Sequence, residues 1–232
     1  MIIHDCLEEM DKLIEQVKVD AIITDPPYTT ACKWDSIIPF DKMWERLNKL
    51  IKENGAIVLF SEPFSSALRM SNIKNYKYDW IWEKNKSNFA GVKYQPMKVH
   101  EIISIFNKHN YYPIKEEYSK AGKSRNKYKR NMKVAEVYIT KIDQDIIPET
   151  AKRNPRSVFK INTQHLHPTQ KPVALMEYLI KTYTNEELVL DFTAGSGSTL
   201  LAAKNTGRKY IIEKEQEYID IISKRLLDTK LL

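Results

Sequence analysis

The sequence predicts an α/β fold built on a largely parallel sheet, with a lobe inserted into it. Three observations carry that expectation. Short apolar runs of strand length, such as "DAIITD" (20–25), "AIVLF" (56–60) and "LVLDF" (188–192), alternate with stretches whose apolar residues recur at helical spacing. Two of these runs carry an acid at or beside their carboxyl end, Asp25 and Asp191. Between residues 110 and 160 both rhythms stop, and the chain turns polar, tyrosine-dotted and basic.

Taken in order, residues 7–18 place Leu7, Met10, Leu13, Ile14 and Val17 on one helical face, ahead of the strand at 20–25. A helix is expected over 40–53, with Phe40, Met43, Trp44, Leu47, Leu50 and Ile51 facing inward and Gly55 as its stop, before the strand at 56–60. "FSSALRMSNIK" (64–74) reads as a helix, and "YDWIWEK" (78–84) and "HEIISIFNK" (100–108) read as strands. After the basic interval come a helix over 172–183, a strand at 188–192, a glycine turn, a helix over 198–206, a strand at 209–213 and a helix over 217–228. Three segments are therefore expected: 1–109, 110–160 and 161–232.

Lys and Arg number 37 against 30 Asp and Glu among 232 residues. A basic surplus favours an acidic partner, of which nucleic acid is the commonest. Two cysteines, Cys6 and Cys32, make neither a disulfide framework nor a zinc spacing. "HLH" (165–167) lacks companions at ligand spacing, so no metal is expected. No apolar run approaches the ~20 residues a bilayer demands, and "MIIHDCLEEM" does not resemble a signal peptide. A reducing cytoplasm and no membrane are the expectation.

"LVLDFTAGSGST" is a strand, an acid, a small-residue turn and a helix start. Gly195 and Gly197 allow a sharp turn and close approach to a ligand, and Ser198 is expected to cap the helix. Glu213 follows at the end of the next strand, ~20 residues on, where a nucleotide-binding α/β unit carries its ribose acid. A dinucleotide site is one alternative, but Leu200 stands where its third glycine would be. Asp191 would repel a pyrophosphate and attract a cation. S-adenosylmethionine, with an ammonium, a sulfonium and a ribose, suits these charges better than NAD.

"DPPY" (25–28) closes the first strand. Pro26 and Pro27 fix φ and remove two N–H donors, and Asp25, preceding proline, is held extended. The result is a stiff ledge whose acceptors are the Asp25 carboxylate and the Pro26 carbonyl, with Tyr28 as a flat ring beside them. Such a ledge suits a planar group bearing an exocyclic NH2. An ordinary Asp-Pro turn is the plain alternative.

Together, "DPPY" and "DFTAGSGST" (191–199) resemble the β group of amino-methylating DNA methyltransferases, in which the tetrapeptide precedes the cofactor turn. "HDCLEEM" (4–10), "HPTQKP" (167–172), "GRKYIIEKEQEYI" (207–219) and "HEIISIFNK" resemble further segments of that family. The resemblance implies a Rossmann-like, circularly permuted, doubly wound methyltransferase sheet. Its catalytic half is 1–109, its target-recognition region 110–160 and its cofactor half 161–232. It implies S-adenosylmethionine as cofactor and methylation of adenine N6 in DNA after base flipping. The alternatives are cytosine N4 and a silent DNA-binding relative. It makes Asp25, Pro26, Pro27 and Tyr28 catalytic. Asp5 is assigned to the cofactor adenine and Glu213 to its ribose, with Asp191, Phe192, Gly195, Gly197, Ser198 and Thr199 around the turn. Lys171 and Thr169 fall near the methionine end, with Lys171 on its carboxylate. Lys123, Arg125, Lys127, Lys129 and Arg130 are expected to neutralise DNA phosphates. Family members are often dimers, which adds a homodimer to the expected partners.

Overall fold

The computed structural model describes residues 2–27, 37–88, 92–117, 152–163, 170–185 and 187–212. They divide into two units, one from residues 1–112 with 157–232 and one from 113–156. In the smaller unit, β5 (Glu116–Glu117) pairs antiparallel with β6 (Lys152–Arg153), and Arg153 bonds Glu116 at 2.9 Å.

The larger unit contains α1 (Ile2–Ile14), β1 (Val19–Thr24), α2 (Phe40–Leu50), β2 (Ile51–Phe60), α3 (Ser65–Ser71), β3 (Tyr76–Asn88) and β4 (Lys98–Phe106). It continues with β7 (Val158–Lys160), α4 (Val173–Tyr183), β8 (Leu188–Asp191), α5 (Ser198–Asn205) and β9 (Lys209–Ile212). Among the described residues, seven strands form one sheet in the order β7-β3-β4-β2-β1-β8-β9. β1 runs parallel to β2 and β8, β8 to β9, and β3 to β7. β4 pairs antiparallel with both β2 and β3, so among the described strands of this sheet it alone is reversed. A mostly parallel sheet places the carboxyl ends of β1, β2 and β8 along one edge, where α/β folds bind ligands.

Both faces are covered, which explains why these strands are apolar almost throughout rather than alternating. Ile22, Ile57, Leu59, Phe106 and Leu190 pack with α1 and α2 on one face. Ala21, Ile23, Val58, Phe60, Ile105 and Val189 pack with α4 and α5 on the other.

The helix expected over 40–53 stops at Leu50, because Ile51 is already extended at φ −77°, ψ 141°. Gly55 is therefore no helix stop. It lies inside β2, where an added Cβ would stand 2.6 Å from Ile51 Cδ1 and 2.8 Å from the Asp20 carbonyl. β2 bulges here, since Val19 pairs with Ile51 but Ala21 with Ala56. The Asn107 amide donates to the Gly55 carbonyl at 2.8 Å and holds the bulge. The first helix starts earlier and ends earlier than expected, and β3 and β4 form a longer hairpin. The helix expected over 217–228 lies outside the described residues.

Candidate active site

β1 and β8 are neighbours, and the corners that leave them are hydrogen-bonded together. Thr24, the last residue of β1, is fully buried, and its Oγ1 donates to Asp191 Oδ1 at 2.7 Å. Thr193, two residues past β8, donates through Oγ1 to the Asp25 carbonyl at 3.1 Å. Its amide donates to Asp191 Oδ1 at 3.1 Å. The "DPP" corner and the glycine turn thus form one wall, although Thr24 and Asp191 stand 167 residues apart in sequence.

In the turn, Gly195 has φ 47° and Gly197 has φ 76°, the left-handed region that costs an L side chain about 1 kcal/mol or more. The Gly197 amide donates to the Ala194 carbonyl at 2.9 Å, and α5 begins at the next residue. Ser198 does not cap this helix, contrary to expectation. Gly197 occupies the N-cap, and Ser198 is the first helical residue, one position too late for its hydroxyl to reach the free amides. Ser198 Oγ is buried and makes no hydrogen bond among the described residues. A buried hydroxyl without a partner costs about 1–3 kcal/mol, so this position is ready for a polar ligand.

Asp191 is 4% exposed. Burial pushes its carboxyl up to about 6. Hydrogen bonds from Thr199, Thr24 and the Thr193 amide oppose that rise, and the charge of Asp25 adds to it. A buried acid poised in this way gains from a cationic neighbour. Phe192 is fully buried in the core on the α1–α2 side of the sheet.

Asp25 is half-buried. Its Oδ2 pairs with the Lys171 ammonium, which also reaches Glu101 Oε2 at 3.4 Å and lies 4.9 Å from the centre of the Phe60 ring. The other Glu101 oxygen accepts from Lys84 at 3.0 Å. Burial lowers the Lys171 pKa, but the two carboxylates outweigh it and hold the ammonium well above the ordinary lysine range. Burial raises Glu101, but Lys171 and Lys84 outweigh it and leave the carboxyl below its usual range.

The structure therefore gathers Asp25, Pro26, Pro27, Asp191, Gly195, Gly197, Ser198, Thr199 and Lys171 at the carboxyl edge of the sheet. Lys171 sits on Asp25. Asp5 lies in α1, with its side chain outside the described set. Tyr28, Thr169, Glu213, Lys123, Arg125, Lys127, Lys129 and Arg130 also lie outside the described residues. Sequence reasoning missed Thr24, Thr193, Glu101 and Lys84. A signal existed for Thr24, a lone hydroxyl in an apolar strand directly before the acid. None existed for the Glu101–Lys84 pair, which depends on the β3–β4 register.

A family model described as DNA methylase, covering adenine-N6 and cytosine-N4 enzymes, matches residues 19–224. The type II methyltransferase M.HinfI of Haemophilus influenzae is 27% identical over 259 residues, spanning 97% of this chain and 67% of that one. The DNA adenine methyltransferase YhdJ of Escherichia coli (strain K12) is 26% identical, spanning 97% and 82%. The crystal structure of an M1.HpyAVI–SAM complex superposes with a TM-score of 0.63 at 29% identity, covering 95% of this chain and 96% of that one. The chain belongs to the DNA methylase family.

Proposed function

We propose that the carboxyl edge of β1 and β8 is the active site of a DNA adenine-N6 methyltransferase that uses S-adenosylmethionine. One observation carries the reading. The Asp25 corner and the Gly195–Gly197 turn are joined through Thr24, Asp191 and Thr193, so a methyl donor and a target amino group held there would be adjacent. Family membership supports methylation of an exocyclic amino group in DNA, and the relation to an adenine-specific enzyme supports adenine N6 as the target.

The residues present fit the donor. Asp191 offers a buried acid to its cationic end, Ser198 an unsatisfied hydroxyl, and the turn two positive-φ glycines that let backbone approach closely. Glu213, just past β9, is assigned to the ribose and Asp5 to the adenine. S-adenosylmethionine supplies an electrophilic methyl on sulfonium.

On the other side of the cleft, the Asp25 carboxylate and the Pro26 carbonyl accept hydrogen bonds from the target NH2. That favours a pyramidal nitrogen and stabilises the positive charge it acquires. Tyr28 is assigned to stack on the ring of a base flipped from the duplex, which offsets part of the few kcal/mol of unstacking. Residues 110–160, with Lys123, Arg125, Lys127, Lys129 and Arg130, are assigned to phosphate contact and target recognition. The homodimer is carried as part of the same proposal, checked by sedimentation of the purified chain.

The test is incubation of purified protein with labelled S-adenosylmethionine and unmethylated DNA, followed by nucleoside mass spectrometry. N6-methyladenine is expected. N4-methylcytosine alone would move the target assignment, and no methylated nucleoside on any DNA would end the proposal.

A further inference from the structure

Asp25, Lys171, Glu101 and Lys84 form a line of alternating charge that runs from the "DPP" corner onto the β3–β4 hairpin. Lys171 bridges Asp25 Oδ2 and Glu101 Oε2, and Lys84 takes Glu101 Oε1 at 3.0 Å. β2 ends at Phe60, which pairs with Ile103, and the Ser61 amide bonds the Ile102 carbonyl at 3.0 Å. Glu101 is therefore the second residue of β4 beyond the end of β2, where its side chain meets Lys171. All four side chains are at least partly shielded from solvent, so their charges act at a lower effective dielectric than in water.

This arrangement raises a problem for the reaction. During transfer the target nitrogen would bond the methyl carbon as the carbon–sulfur bond breaks with its electron pair going to sulfur, and the nitrogen would stay cationic until it gives a proton to solvent water. An ammonium beside Asp25 opposes that charge. The problem disappears if a second carboxylate cancels the ammonium while leaving it in place to orient Asp25.

Resting on the methyltransferase reading above, we propose that Glu101 is a positioning residue for methyl transfer: it holds Lys171 against Asp25 and neutralises it. The four groups sum to zero charge with Glu101 ionised and to one positive charge without it. Glu101 touches neither the target nor the donor. It acts through Lys171.

The test is single-turnover methylation of DNA by three variants, with donor affinity measured in parallel. Glu101→Gln is expected to slow transfer on the order of 100-fold, the scale seen when one preorganised electrostatic partner is removed, with donor affinity within about 2-fold of wild type. Glu101→Asp keeps the charge and is expected to stay within about 10-fold of the wild-type rate. The decisive variant combines Glu101→Gln with Lys84→Gln. It lacks more hydrogen bonds than the single variant but restores a net charge of zero. It is expected to transfer methyl about 10-fold faster than Glu101→Gln alone. A double variant no faster than the single one assigns Glu101 a purely structural role and overturns the proposal, as does a wild-type rate in Glu101→Gln. A silent wild-type enzyme would overturn the functional reading itself, so the two failures are distinguishable.

Discussion

The Thr24 hydroxyl donates to the Asp191 carboxylate at 2.7 Å across 167 residues of sequence. Both residues close parallel neighbouring strands, and both are buried. This bond, with Thr193 on the Asp25 carbonyl, turns two separate corners into a single cleft wall.

Thr24→Val keeps the shape and β-propensity of the strand end but removes the donor. It should lower unfolding free energy by about 1–3 kcal/mol, the usual cost of leaving a buried acceptor short of a partner. It should also raise the Asp191 pKa further, since one of the bonds that hold it down is gone. Thermal melts and a pH titration of donor binding check the two parts. Unchanged values in both would remove Thr24 from the site.

The raised Asp191 pKa sets opposite pH trends for the free and loaded protein. A carboxyl lifted from 3.8 to about 6 by burial favours the neutral form in the folded state. Its stabilising contribution is therefore complete below about 3.8 and lost as pH rises through about 6, amounting to about 3 kcal/mol. A cationic donor needs the ionised form, so its affinity should fall as pH drops through about 6. Calorimetry between pH ~5 and ~8 measures this, and Asp191→Asn should flatten the profile, weakening binding above pH ~6 and approaching the wild-type affinity toward pH ~5.

Ser198→Ala separates ligand binding from folding. The Ser198 hydroxyl is buried and makes no hydrogen bond among the described residues, so its removal should leave stability of the free protein unchanged or slightly higher. If the donor satisfies that hydroxyl, affinity should fall about 5- to 10-fold, one hydrogen bond's worth. Equal affinities in the two proteins would exclude Ser198 from the donor site.

The basic segment makes a prediction about salt. Replacing Lys127, Lys129 and Arg130 by Gln should reduce the slope of log affinity for DNA against log salt by about 2–3, close to one for each phosphate that is no longer neutralised. An unaltered slope would take these three side chains off the DNA.

Much of this cleft was legible in the sequence for a local reason. An acid ending an apolar run, two prolines behind one acid and two glycines behind the other are features of neighbouring residues, and they locate Asp25, Asp191 and the turn. What was not legible depends on pairing. Nothing local says that β4 inserts antiparallel between β2 and β3, and that insertion puts Glu101 against Lys171. Lys171 was expected on the donor carboxylate because of its segment, whereas the fold presents it to Asp25. Gly55 resembles a helix stop because Leu50 and Ile51 extend the helical pattern. Only the β2 bulge, which puts Ile51 Cδ1 and the Asp20 carbonyl 2.6 and 2.8 Å from an added Cβ, explains why a side chain does not fit there.

The most direct test of the central claim is Asp25→Ala, assayed for donor affinity and for single-turnover methylation side by side. Donor affinity should stay within a few-fold of wild type while transfer drops by about 1,000-fold or more, since Asp25 serves the target amino group across the cleft from the donor. Transfer at the wild-type rate would contradict this, because the residue at the head of the "DPP" corner would then have no part in the chemistry.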